Sequence, residues 1–372
     1  MDAELTLLPG HTYAQRAVRE AYVSLSPLYE EYHASSAKDC HSFFGEWYRD
    51  MFHEPDAYGL PCDLYPENAD ELDRELARFP AASKVKDQAL KYLLSHRDKR
   101  SKANGALRHT VDFMLRIGAR GAPCAEGMRV TREKWDEVAG KSPKQLSIDV
   151  LLHALERVGM AFEDHGGDTL VSNRRFPDMF GAYCALCRAC EDNKKLGFLF
   201  ARCDFRALLP GFKWSVSDIL RPLSAADRDR LAELDRYMMG LKYGRTIEFE
   251  GRYLYTLKGK GIFRVQTGGD EYTFYFRWPL DESRSADMFG KLRALSPALE
   301  QFVFSGLCRC NPDCVPGYGV PTADHCLGRV RIVCDGQEGH TCMDGGLTIW
   351  GHEREDFESI KAIAGAMREM FA

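Results

Sequence analysis

The stretch from residue 245 to residue 279 restricts the possible folds more than any other part of the chain. RTIEFEG, RYLYTLKGK, GIFRVQ and EYTFYFRWP follow one another here, separated by glycine-bearing turns. Tyr253, Tyr255 and Leu257 occupy alternate positions, and so do Tyr272, Phe274 and Phe276. A period of two places every second side chain on one face of a strand. The pattern therefore predicts four successive strands in an antiparallel sheet with one buried face. Helical segments are expected around this sheet. KWSVSDILRPLSAADRDRLAELDRYMMGLK precedes it, with Ser224 as a helix cap, and 286–295 and 297–305 follow it. Residues 356–371 carry Phe357, Ile360, Ala364, Met367 and Phe371 at amphipathic spacing.

The first half of the chain reads as helical. Residues 13–32 and 39–52 show helical periodicity, the second with a broad aromatic face of Phe43, Phe44, Trp47 and Tyr48. Turn signals in GLPCDLYPEN precede a third helix near 69–78, and a basic helical stretch covers 84–117. Charge is unevenly distributed. Residues 1–83 hold 16 acids against 6 Lys/Arg, a net −10, and residues 84–144 hold 15 Lys/Arg against 7 acids, a net +8. Such an asymmetry marks either an anion-binding face or two regions that neutralise one another.

Residues 131–173 are more specific. Thr131 caps a short helix, Ser142-Pro143 opens a longer one bearing Ile148, Leu151, Leu152, Leu155 and Val158, and Gly159 ends it. Two short extended runs then flank Gly166-Gly167. Helix, turn, helix and hairpin in that order look like a winged helix, which binds nucleic acid in some proteins and protein partners in others. Lys144, Arg174 and Arg175 are its candidate nucleic-acid contacts, while the second helix also exposes Asp149 and Glu156, which oppose phosphate binding.

Thirteen cysteines stand out, three of them in LCRCNPDCVPGYGV at 307–320. The opening MDAELTLLPGH has neither a basic start nor an apolar core, so a cytoplasmic chain with reduced thiols is expected. No run approaches the roughly 18–20 apolar residues of a membrane span. The turn residues around Cys308, Cys310 and Cys314 can fold thiolates about one centre, and the expected ligand set for a structural zinc is Cys308, Cys310, Cys314 and Cys334. Cys326 or Cys342 can replace Cys334, and His325 and His340 are nearby. An iron–sulfur cluster, a disulfide and unliganded thiols remain as alternatives. A second group, Cys184, Cys187 and Cys190, falls at helical spacing and reads as packing.

No phosphate-binding loop, metalloprotease helix, nucleophile elbow or dinucleotide fingerprint is found. The expected architecture is α+β: an acidic helical region at 1–83, a basic winged-helix-like module at 84–214, and an antiparallel sheet with helices and a cysteine-rich knuckle at 215–372. The expected function is a binding or regulatory protein that contacts nucleic acid or a protein partner through the middle module. The alternative is an enzyme or small-ligand sensor, with its site between the aromatic sheet and that module.

Overall fold

The computed structural model describes residues 5–32, 34–69, 71–72, 88–142, 147–192, 197–221, 223–247, 251–268, 271–279, 282–307, 329–342, 346–350 and 357–371. The fold is α+β with antiparallel sheets. The chain divides into two compact units, Met1–Glu67 with Asp98–Lys213, and Asn68–Arg97 with Trp214–Ala372. Among the described residues no helix is long and apolar enough to cross a membrane.

The first unit opens with helices α1 (Tyr13–Val23) and α2 (Ser35–His53). Thr12 and Gln15 cap α1 reciprocally, each side chain bonding the other's backbone N–H. The helix ends nine residues before the expected Tyr32, because Ser24 turns its hydroxyl back onto the Glu20 carbonyl at the last turn. In α2 the aromatic face is core, as Phe43, Phe44, Trp47 and Tyr48 are fully buried. Helix α3 (Gln88–Arg120) follows, belonging to this unit from Asp98 onward. Strands β1 (Ala122–Cys124) and β2 (Gly127–Val130) form a hairpin after α3.

Helices α4 (Arg132–Gly140) and α5 (Ile148–Arg157) come next, then strands β3 (Met160–His165) and β4 (Asp168–Asn173). Thr131 stands at the N-cap of α4 but makes no side-chain cap bond, whereas Ser147 accepts from Val150 N–H and starts α5. The sheet order is β1-β2-β4-β3, so the second strand of the later hairpin lies beside β2. Trp135 joins the layers, edge-on to Phe113 of α3 and Phe162 of β3. Helices α6 (Phe180–Asp192) and α7 (Gly197–Ala201) complete the unit.

The second unit carries helices α8 (Val216–Leu220) and α9 (Ala225–Gly240), the latter capped by Ser224 as expected. Strands β5 (Gly244–Ile247), β6 (Arg252–Leu257), β7 (Lys260–Gly268) and β8 (Glu271–Arg277) form the antiparallel meander that the alternation predicts. Its inner face is core: Tyr253, Tyr255, Phe263, Phe274 and Phe276 are each 1% exposed or less. Helices α10 (Glu282–Leu295), α11 (Pro297–Leu307) and α12 (Phe357–Phe371) supply Met288, Val303, Ile360 and Met367 to the same core. Strands β9 (Arg329–Cys334) and β10 (Gln337–Cys342) pair as a separate hairpin, and β11 (Gly346–Trp350) joins the meander beside β8.

Candidate functional site

Two places in the described structure hold residues singled out by the sequence. The first is the surface formed by α5 and the β3–β4 hairpin. Its placement depends on Gly159, which closes α5 with φ +88°, a left-handed conformation that favours glycine. A Cβ there would fall 2.9 Å from the Asn173 amide oxygen. That buried amide is the latch of the module. Its nitrogen donates to the Val158 carbonyl, and its oxygen accepts from the N–H groups of Arg175 and Phe176. Arg174 N–H adds a bond to the Gly159 carbonyl. The end of β4 is thereby pinned to the end of α5, and Arg174 and Arg175 emerge beside each other on the surface.

Of the expected nucleic-acid contacts, Lys144 lies outside the described residues, while Arg174 and Arg175 are exposed. Arg175 is committed to Glu46 of α2 at 2.9 Å. Arg157, at the end of α5, forks onto Asp50 of α2 at 3.0 and 3.2 Å and reaches Glu54 at 3.6 Å. Lys99 pairs with Asp63 and Arg100 with Glu20. The last two pairs join the acidic stretch 1–83 to the basic stretch 84–144, and Arg157 and Arg175, which lie beyond the basic stretch, add two further ties to the acids of α2. Asp50 also accepts the Tyr58 hydroxyl, whose own ionisation is raised first by burial and then by that carboxylate.

The remaining exposed side chains of α5 are Asp149, Val150, His153 and Glu156. The turn end of the hairpin adds Glu163, Asp164 and His165, with Asp168 half-buried beside them. Five carboxylates therefore share this surface. The sequence indicated Asp149 and Glu156 as opposed to phosphate, but the role of Glu46 and Asp50 could not be read from it. Those partners lie 129 and 107 residues away from the arginines they hold.

The second place is Cys334. Cys308, Cys310, Cys314, Cys326 and His325 lie outside the described residues. Cys334 is buried at the turn end of the β9–β10 hairpin, opposite Gln337. Its thiol lies against the Glu300 carboxylate of α11, and burial foremost, then Glu300, pushes its ionisation up to about 12. Arg293 of α10 grips the same carboxylate at 2.7 and 2.8 Å and reaches Asp335 at 3.1 Å. Cys342 sits at the other end of the hairpin, opposite Arg329. Among the described residues, no three His, Cys, Asp or Glu side chains are gathered as a metal site.

The helical cysteines behave differently from a ligand set. Cys184, Cys187 and Cys190 are fully buried on α6, and each meets a different neighbour. Cys184 contacts the Met128 sulfur of β2 at 3.6 Å, Cys187 abuts Gly118 of α3, and Cys190 bonds the backbone of Phe200 in α7. Burial raises all three thiols, Cys184 and Cys190 to about 12, so they remain protonated packing groups.

Comparison with protein-family models, curated proteins and solved structures finds no match to the chain.

Proposed function

We propose that this chain is a binding protein whose first unit carries a winged-helix-like module, and that the module engages a protein partner instead of nucleic acid. The connectivity supports the winged-helix reading: α3, the β1–β2 hairpin, α4, α5 and then a hairpin whose second strand pairs with β2. In that arrangement α5 is the presenting helix and the β3–β4 turn is the wing. The observation that carries the choice of partner is the charge on this pair. Asp149 and Glu156 are exposed on α5 together with Val150, and Glu163 and Asp164 are exposed at the turn end of the hairpin. Arg157 and Arg175 are tied to α2, and Arg174 is the one exposed arginine left beside them among the described residues. Phosphate contacts need cations, and these two elements expose more carboxylates than arginines, beside an exposed apolar residue. The partner that fits is a basic segment with an apolar anchor.

The full chain should show no salt-sensitive retention of duplex or single-stranded DNA or RNA at low ionic strength. Against an array of basic amphipathic peptides it should be retained, and Asp149→Lys combined with Glu156→Lys should abolish that retention. Nucleic-acid retention that weakens steeply with salt would overturn the choice of partner, because each phosphate neutralised releases counterions.

The second unit, on this reading, contains a structural zinc held by Cys308, Cys310, Cys314 and a fourth ligand. The support is the C-x-C-x3-C spacing among prolines and glycines. Four thiolates leave no open coordination position, so the metal serves folding and not catalysis. The aromatic residues of the sheet pack against the helices in the core, so the reading makes no use of a small-ligand site there.

A further inference from the structure

Building on the protein-partner reading above, we infer that the partner's basic segment binds in extended form, adding a strand to the open edge of β3. The hairpin turn fixes which backbone groups that edge presents. Gly166 and Gly167 have φ +69° and +95°, both left-handed, as the two-residue type I′ turn of a tight hairpin requires. The flanking residues, His165 and Asp168, stand opposite one another and close the ladder. In an antiparallel pair, hydrogen-bonded and non-hydrogen-bonded positions alternate. Counting back from the turn, His165, Glu163 and Ala161 point their backbone groups towards β4, and Asp164, Phe162 and Met160 point theirs away from it. β3 is the last strand of its sheet, and among the described residues β4 is the one strand paired with it. The outer N–H and C=O groups of Phe162 and Asp164 therefore form a template for another strand.

Side chains along the edge select that strand by charge. Glu163 and Asp164 are exposed neighbours, so one lies on each face of the sheet, and Ala161 and Phe162 are half-buried beside them. Such an edge rejects a second copy of itself, because pairing two β3 strands would crowd four carboxylates into one short ladder. The strand that fits carries adjacent basic residues opposite Glu163 and Asp164, next to apolar residues opposite Ala161 and Phe162. The Phe162 ring is already seated edge-on to Trp135, which gives an apolar side chain a fixed surface to meet.

The template is held at both ends. At the tip the Asp164 carboxylate accepts the Gly167 N–H at 2.8 Å, and at the base the Asn173 amide ties β4 to the Val158 carbonyl. A strand formed in advance loses little freedom when a second strand docks on it.

The test uses the full chain and a fluorescent octapeptide with Lys-Arg-Val-Ile at its centre. The expected result is saturable binding that Glu163→Lys weakens about fivefold. Glu163 is exposed, so this change leaves the hairpin intact. Methylating the peptide's backbone nitrogens in two alternating sets then separates a strand from other bound forms. The set facing β3 should abolish binding and the set facing solvent should leave it unchanged, because an added strand uses every second N–H. Equal tolerance of both sets, or equal loss, would overturn strand addition. So would retention of a basic helical peptide that Glu163→Lys does not affect but Asp149→Lys with Glu156→Lys abolishes; that result would leave the protein-partner reading standing. Failure to retain any basic peptide would remove the reading and this inference together, leaving Glu163 and Asp164 as charges that block pairing at the edge.

Discussion

Cys184, Cys187 and Cys190 resemble a metal motif on paper as closely as Cys308, Cys310 and Cys314 do, yet the two groups sit in opposite kinds of sequence. The first group has a spacing of three inside an apolar helical stretch; the second is broken by Asn-Pro and Pro-Gly. A helix advances about 100° per residue, so a spacing of three turns successive side chains by about 60°. On α6 that rotation delivers the three thiols to β2, α3 and α7 in turn. Ligand chemistry needs convergence on one centre, and three thiols spread over about 120° of helix face, with no metal-ligating trio gathered among the described residues, do not provide it. The comparison teaches that cysteine spacing becomes informative only once the backbone period carrying it is known.

The sharpest way to break this comparison is at Gly118. A Cβ there would collide with the Cys187 sulfur and with the Tyr183 ring, whose hydroxyl is bonded to the Met114 carbonyl. Gly118→Ala should cost about 3 kcal/mol through overpacking, despite the helix propensity that alanine adds. Gly105, on the same helix, has nothing within 4 Å of its would-be Cβ. Gly105→Ala should therefore stabilise by roughly 0.5–1 kcal/mol. Denaturant midpoints of the two variants check the pair. Equal effects would mean that the thiols of α6 are loosely packed and free to serve another purpose.

The α6 packing was legible from the sequence because its signal is local. The same holds for the meander, where Tyr253, Tyr255, Tyr272 and Phe274 alternate and are buried together. The β1–β2 hairpin was not legible. Its three- and four-residue strands lie in GAPCAEGMRV, where β1 is exposed throughout and no alternation exists to be read. Only the pairing of β2 with β4, about 40 residues on, gives that segment its form. The charge surface was half legible. The −10 and +8 regions announced that they neutralise each other or bind an anion, but the particular pairs Lys99–Asp63 and Arg100–Glu20, and the ties of Arg157 and Arg175 to Asp50 and Glu46 from beyond the basic region, are tertiary and invisible to spacing.

A smaller effect sharpens the comparison by chemistry. Cys187→Ser keeps the volume but places a hydroxyl among apolar neighbours, at a cost of about 2 kcal/mol. Cys187→Ala, which leaves only a small void, should cost about 1 kcal/mol. Zinc content should be unchanged in both. If either variant folded normally yet lost metal, α6 would belong to the ligand set and the contrast between the two groups would collapse.

The smallest expected effect concerns alkaline pH. Cys184 and Cys190 are pushed up from an ordinary value near 9 to about 12, burial being the main cause. The folded chain thus holds these protons more tightly than the unfolded chain does. The stability they contribute is complete below pH 9 and is lost as pH rises from 9 towards 12. One pH unit above the unfolded value, a single shifted thiol accounts for about 1 kcal/mol. Buried tyrosines such as Tyr48 and Tyr183 shift in the same direction, so the total alkaline loss alone does not isolate the thiols. Their share is isolated by difference. Denaturant midpoints at pH 8 and pH 10 should show a pH-dependent loss about 1 kcal/mol smaller in Cys184→Ala and in Cys190→Ala than in the unaltered chain. An undiminished loss would mean that these thiols ionise freely in the fold, which protonated packing groups of a closed helix cannot do.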